Sequence, residues 1–378
     1  MENRKKYLKN IKRVVVKVGS SSLALQKGGL DIDNMEKFTG GVSRMAEKGI
    51  EAVIVTSGAI AAGLRCLNIL NKPGDINLLQ AAASIGQVEL MKTYSNLFSR
   101  HGLKIGQILL THEDTTRRKQ YLNIKNTIEN LIKLKIIPVI NENDSVATDE
   151  IKFGDNDRLA GVVSSLTEAD ILIILSDIDG MYDRDPRTNS NANLISQIDS
   201  INEDIEKLAG GIGSAYGSGG MATKMKAAKV CTFSGIGMVI ANSREPDVLR
   251  KIISGENIGT FFVPQTSKKV RGVKKWIAFG VRTKGSIVID RGAEDAIVNK
   301  GRSILPVGVI EINGKFSRGD TLKVYSLDSK LIAKGISSFS SEDINKVKGK
   351  NKNQILEEMG SSMCCEIIHR DNLVVFGG

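Results

Sequence analysis

Val14-Val15-Val16-Lys17-Val18 runs straight into Gly19-Ser20-Ser21-Ser22. A β-branched apolar run that stops at a polar, glycine-bearing turn predicts a buried strand with an open end. The pattern recurs outward along the chain. Ala52-Val53-Ile54-Val55 ends in Thr56-Ser57-Gly58-Ala59, and Ile136-Ile137-Pro138-Val139-Ile140 ends in Asn141-Glu142-Asn143-Asp144. Ile171-Leu172-Ile173-Ile174-Leu175 ends in Ser176-Asp177, and Met238-Val239-Ile240 ends in Ala241-Asn242-Ser243. Helical patterns lie between them, over residues 33–48 before Gly49, 78–101 before Gly102, and 155–166 with an acidic start. Continuous apolar strands alternating with helices predict an α/β fold whose parallel sheet is covered on both faces. Ligands of such sheets bind beyond the C-terminal ends of the strands, where all five polar ends fall.

The chain has 378 residues, which predicts two domains. Aromatic residues are 4%, so the core is aliphatic and a base-stacking surface is disfavoured over most of the chain. The formal net charge of +11 fits an anionic partner, or equally a Lys- and Asn-rich background composition. Cys66, Cys231, Cys364 and Cys365 lack metal-ligand spacing and read as free thiols of a reducing compartment. Neither a signal region nor a bilayer-length apolar run is present, so the expected location is the cytoplasm, away from membranes. The texture changes after residue 262. The boundaries read as a catalytic domain over 1–262, a basic linker over 263–277 and a small β-rich domain over 278–378. Within the last, strands are expected at 286–290, 304–310, 321–325 and 331–337.

No G-x-x-x-x-G-K-[ST] loop occurs, and Gly211-Ile212-Gly213-Ser214-Ala215-Tyr216 fails the dinucleotide fingerprint at its last position. The phosphate-binding candidates are of another kind. Lys17 beside Gly19 could meet anionic oxygens, though a surface lysine before a turn reads the same way. Ser57 and Gly58 open a helix whose amides could hold a carboxylate or phosphate, or Ser57 could be an ordinary N-cap. Asn141 and Asp144 could grip the carboxylate and ammonium of an amino acid. Gly154-Asp155-Asn156-Asp157 offers carboxylates that could orient lysines or a magnesium ion, or could cap a helix. Ser218-Gly219-Gly220-Met221-Ala222-Thr223-Lys224 is a glycine-rich turn entering a lysine-bearing helix, suited to a polyphosphate or, more plainly, to solvent.

As an ordered set, these segments resemble the amino-acid kinase family. Val55-Thr56-Ser57-Gly58-Ala59-Ile60-Ala61-Ala62-Gly63 and Asn141-Glu142-Asn143-Asp144 resemble in particular the branch that phosphorylates the glutamate side chain. Segment Gly314-Lys315-Phe316-Ser317-Arg318-Gly319-Asp320 resembles a PUA domain. The resemblance implies a three-layer αβα sandwich followed by a small β-rich PUA-like domain. It implies ATP and Mg²⁺, L-glutamate as acceptor, L-glutamyl 5-phosphate as product and a place at the first step of proline synthesis. It carries over Lys17 and Lys224 as phosphate-stabilising lysines with Asp157 as their organiser. Ser57, Gly58, Asn141, Asp144 and Asn156 become substrate-binding residues. Lys17, Gly19, Ser176, Asp177, Ser218, Gly219, Gly220, Met221, Ala222, Thr223 and Lys224 become nucleotide-binding residues, with no direct protein ligand to the metal. Feedback inhibition by proline, a homo-oligomer and RNA binding by the PUA-like domain are further implications. Ser20 and Ser176 stand where relatives often have threonine, and both keep a hydroxyl. Sister kinases acting on acetylglutamate, aspartate, carbamate or UMP are the nearest rivals.

Overall fold

The computed structural model describes residues 2–25, 28–147, 156–211, 220–265, 274, 276–281, 283–359 and 366–376. Two compact units part after Val270. The anticipated linker over 263–277 falls partly outside the described residues, at 266–273 and 275.

The first unit is an α/β unit built on an eight-stranded sheet. Its strands are β1 (Arg13–Val18), β2 (Glu51–Val55), β3 (Lys104–Leu110), β4 (Ile136–Glu142), β5 (Ile171–Ser176), β6 (Gln197–Ile198), β7 (Gly237–Asn242) and β8 (Thr260–Phe262). Their order is β3-β4-β2-β1-β5-β7-β8-β6. β1 lies between β2 and β5, parallel to both, with Lys17 opposite Val55 on one side and Ile174 on the other. Alternate residues of a strand face opposite ways. Val14, Val16 and Val18 join a core with Met35, Val42, Tyr94 and Phe98 from the helices Ile32–Glu47 and Ile76–Ser99. Val15 points the other way and is equally buried, so helices cover both faces and the unit has three αβα layers.

The sheet is mixed, which corrects the all-parallel expectation. β8 runs antiparallel to β7, and β6 pairs with β8 in parallel. The helix leading to β8, Val248–Ile253, has only six residues and spans about 9 Å. Gly259, at φ +70°, then turns the chain so tightly that a Cβ there would lie 2.0 Å from the Ile240 carbonyl oxygen. β3 was not anticipated because Gly106 and Gln107 interrupt its apolar run. Gly106 leaves room for Leu131, whose Cδ2 would lie 2.8 Å from a Cβ there and would have to shift for a larger residue.

One helix pair in this unit is unusually close. The helix Ala59–Cys66 and the helix Ile76–Ser99 touch backbone to backbone. A Cβ on Gly63 would lie 1.7 Å from the Ala82 carbonyl oxygen, and one on Gly86 would lie 1.8 Å from that of Ala59. Gly86→Ala should therefore separate the helices and destabilise the first unit, toward the upper end of the about 1–3 kcal/mol typical of overpacking. An unchanged urea midpoint in that variant would refute the steric account.

The second unit carries a five-stranded sheet of β9 (Gly285–Ile289), β10 (Val309–Asn313), β11 (Thr321–Tyr325), β12 (Leu331–Ile336) and β13 (Leu373–Val375). Its order is β10-β9-β11-β12-β13. Ile287, Ile289, Leu322, Val324, Ile332 and Ile344 are among its core residues. The strand expected at 304–310 starts only at Val309. Ile304 makes an isolated bridge to Ile368, and Pro306–Gly308 is a 3₁₀ turn. Pro306 has no N–H and a fixed φ, so it cannot continue a ladder.

Among the described residues, no helix is long and apolar enough to cross a membrane. Cys66 is exposed and Cys231 buried, neither in a disulfide, while Cys364 and Cys365 lie outside the described residues.

Candidate active site

Three polar strand ends meet at the start of one helix, Lys17 of β1 on Asp157 and the ends of β2 and β4 on Asn156. Asp157 occupies the first turn of the helix Asn156–Leu166 and is 1% exposed. Its Oδ1 is 2.7 Å from Lys17 Nζ, and its Oδ2 is 3.1 Å from Lys224 Nζ. Thr223 Oγ1 also donates to Oδ2 at 2.8 Å and lies 2.8 Å from the Gly220 carbonyl oxygen. Lys17 and Lys224 are 7% and 3% exposed, so the plain reading of each as a surface lysine is excluded.

Charge balance follows from this geometry. Burial by itself raises the Asp157 carboxyl, but the two ammonium groups outweigh it and hold it below the ordinary carboxylate range. Burial pushes the Lys224 ammonium down from the usual lysine value, with Asp157 opposing and Lys17 reinforcing that shift. Two buried ammonium groups thus share one buried carboxylate, with the exposed Asp177 acting on Lys224 as well. Such a site favours an anionic ligand.

Local backbone explains why each group arrives there. β1 delivers Lys17 at its penultimate position. Gly19 follows, and a Cβ there would meet Lys17 Nζ at 3.3 Å. Gly220 is the N-cap of the helix Met221–Phe233, which carries Met221, Ala222, Thr223 and Lys224 in its first turn. That helix packs on Asn156–Leu166 through Gly161, where a Cβ would lie 3.2 Å from Ala227 Cα. Lys229, further along, pairs with Glu206 on a half-exposed surface.

A second polar cluster adjoins the first. Asn156 Nδ2 lies 2.7 Å from the Thr56 carbonyl oxygen, 2.7 Å from Ser57 Oγ and 3.1 Å from Asn141 Oδ1. The N-cap of the helix Ala59–Cys66 is Gly58, at φ 104° and without a side-chain cap. Ser57 is therefore not an ordinary N-cap, and its hydroxyl faces Asn156 instead. Asp144 is half-buried in the turn just past β4, where Val146 and Ala147 donate to the Asn143 carbonyl oxygen. Ser176 is buried at the end of β5 and donates to Asp177 Oδ1 at 3.1 Å. Asp177 is exposed and acts electrostatically on Lys224. Ser218, Gly219 and Asp155 lie outside the described residues.

Three supporting residues were not anticipated. Asn141 Nδ2 donates to Gln87 Oε1 at 2.9 Å, and Tyr94 OH lies 2.9 Å from Thr56 Oγ1. Gln80 Nε2 donates to the Ala147 carbonyl oxygen at 3.1 Å. All three come from the long helix Ile76–Ser99, and no local motif marks them.

The residues present suit a nucleotide triphosphate, since buried lysines and a glycine-capped helix can meet phosphate oxygens. Among the described residues, no cluster of three His, Cys, Asp or Glu side chains could hold a metal ion. Both oxygens of Asp157 are already engaged. Mg²⁺ entering with a nucleotide would be held by phosphate oxygens and water, the usual preference of that ion in kinase sites.

The chain belongs to the amino acid kinase family, whose model matches residues 12–242; a PUA domain model matches residues 285–359. Similar proteins along nearly the whole length are named glutamate 5-kinase. The one from Syntrophotalea carbinolica is 44% identical over 98% of this chain and 99% of that protein. The one from Caldanaerobacter subterraneus subsp. tengcongensis is 46% identical over 96% of this chain and 97% of its own. A third, from Carboxydothermus hydrogenoformans, is 46% identical over 97% and 98%.

Proposed function

We propose that the protein transfers the γ-phosphoryl group of ATP to the side-chain carboxylate of L-glutamate, giving L-glutamyl 5-phosphate for proline synthesis. The observation that carries this reading is the buried Lys17–Asp157–Lys224 triad beside Asn156. The full-length relatives named glutamate 5-kinase support the choice of acceptor.

A carboxylate nucleophile is already ionised near neutral pH, so no general base is needed. The work of the site is alignment and charge neutralisation. Lys17 and Lys224, fixed by Asp157, would face the oxygens of the transferring phosphoryl group. Bound with the nucleotide, Mg²⁺ would add positive charge at the phosphates. Gly19, Ser176, Asp177, Gly220 and the turn Met221-Ala222-Thr223 would frame the nucleotide. Ser57, Gly58, Asn141, Asp144 and Asn156 would hold the amino acid. Because Asn156 and Asp157 are consecutive, one helix turn would set the distance between acceptor and phosphoryl group.

Proline shares the α-carboxylate and amine of glutamate, so it would compete at or beside Asp144 and Asn156. The loop over 146–152, with Glu150, is a further candidate for sensing proline. Residues 148–152 lie outside the described residues.

Mg-ATP with L-glutamate should yield a hydroxylamine-trappable acyl phosphate and stoichiometric ADP. Proline titrated into the same assay should raise the glutamate requirement. Faster turnover of acetylglutamate or aspartate would overturn the acceptor assignment, and indifference to proline would remove the inhibition.

A further inference from the structure

Three amide side chains from three separate elements form one buried file: Asn156, Asn141 in β4, and Gln87 in the helix Ile76–Ser99. The Thr56 carbonyl oxygen, 2.7 Å from Asn156 Nδ2, sets the direction of the file because a carbonyl can only accept. Asn156 must therefore turn its NH₂ toward Thr56. Asn141, which meets that NH₂ at 3.1 Å, must present Oδ1. Its own NH₂ then points the other way and donates to Gln87 Oε1 at 2.9 Å. The orientation of each amide fixes the next.

Both ends of the file are open. Asn156 Oδ1 and Gln87 Nε2 are buried and have no hydrogen-bond partner among the described residues. A buried acceptor without a donor is costly, and a ligand bearing N–H groups would relieve that cost. The open acceptor belongs to the residue immediately before Asp157, so it lies next to the phosphoryl-transfer lysines. The open donor lies at the remote end.

Gln87 is itself held firmly. It is 8% exposed and follows Gly86, whose backbone contact with Ala59 and Gly63 sets the height of the helix. Two turns further on, Tyr94 OH meets Thr56 Oγ1 at 2.9 Å, bracing the segment whose carbonyl orients Asn156.

We propose that Gln87 is a positioning residue: by accepting from Asn141 Nδ2 it holds Asn141 Oδ1 on the Asn156 amide, which the Thr56 carbonyl orients, so that Asn156 Oδ1 stays firmly presented as an acceptor for the ammonium of an amino-acid substrate. This rests on the reading of an amino-acid acceptor given above and adds what enforces it. Without the Gln87 oxygen, Asn141 Nδ2 loses its acceptor and the Asn141 amide can swing off Asn156. Asn156 would then keep its bonds to Thr56 and Ser57 but lose the third contact that holds its amide plane, and its acceptor would be less well aimed.

Gln87→Met keeps the volume and removes the oxygen. In the full-length protein it should raise the glutamate KM about tenfold, the loss of one oriented hydrogen bond. The turnover number and the KM for ATP should stay within about twofold. In an Asn141→Ala background, where the file is already cut, adding Gln87→Met should change the glutamate KM no further. An unchanged KM in the single variant, or a full additional rise in the double variant, overturns the proposal. The thermal shift given by L-glutamate alone, without nucleotide, separates this proposal from the reading beneath it. A glutamate shift that Gln87→Met loses, in a protein that makes no acyl phosphate, would sink the kinase assignment and uphold the positioning role. Equal shifts in both proteins, or none in either, would overturn the positioning role.

Discussion

Asp157→Asn should all but extinguish turnover and should also unfold the first unit early. The two effects share one cause. Lys17 and Lys224 are buried, and Asp157 is the carboxylate between them. Removing one partner of a buried ion pair costs about 3–5 kcal/mol, because the charge left behind is uncompensated. For a unit of this size that is a fall of roughly 6–20 °C in Tm. The pH dependence identifies the mechanism. Buried lysines without a counter-ion have folded pKa values below their unfolded ones. The unfolded chain then binds more protons, and stability rises with pH through that window. The variant's deficit should shrink on the alkaline side. In the parent, the lowered folded pKa of Asp157 works in the opposite range: its contribution is present above the ordinary carboxyl value of 3.8 and lost as pH falls through the folded value. Thermal melts of both proteins across pH test this. Equal Tm values at neutral pH would show that the lysines are compensated elsewhere.

Lys224→Ala should act mainly on the chemical step. Its ammonium sits at the start of the helix Met221–Phe233, on the Asp157 oxygen not used by Lys17. Loss of one such electrostatic contact lowers turnover on the order of 10²–10³-fold. Asp157 keeps Lys17, so the stability loss should be smaller than in Asp157→Asn. The amino-acid cluster around Asn156 does not use Lys224, so glutamate KM should move little. Burial lowers the Lys224 pKa from its usual 10.5, so the parent's turnover should begin to fall below that pH as the ammonium discharges. A near-normal turnover number in Lys224→Ala, measured at saturating substrates, would remove this lysine from the chemistry.

The sequence disclosed the strand ends because each is a local event, an apolar run meeting Gly, Ser, Asn or Asp. Lys17, Asp157 and Lys224 stood out singly for the same reason. Their pairing joins residues far apart in the chain, so only the family resemblance, and no local pattern, names Asp157 as the organiser of the two lysines. Gln87 and Tyr94 carry no local mark at all. They look like any other residues of a long helix, and their partners Asn141 and Thr56 lie 54 and 38 positions away. The antiparallel β8 has only three residues, too few for a periodic signal. Pro306 was overlooked inside an apolar run that its missing N–H was bound to break.

The position of β1 also bears on how the protein is made. Val14 pairs with Ala52 on one side but with Ile171 on the other. At about 5–20 residues per second of synthesis, the second partner leaves the ribosome roughly 6–24 s after the first half of the ladder could form. Throughout that interval a valine-rich strand carrying the lysine of the site presents one unpaired edge, the kind that invites pairing with another chain. Nascent copies on a crowded polysome should therefore be most prone to aggregation before Ser176 emerges, and a holding chaperone should bind chains stalled before that point more than chains stalled beyond it.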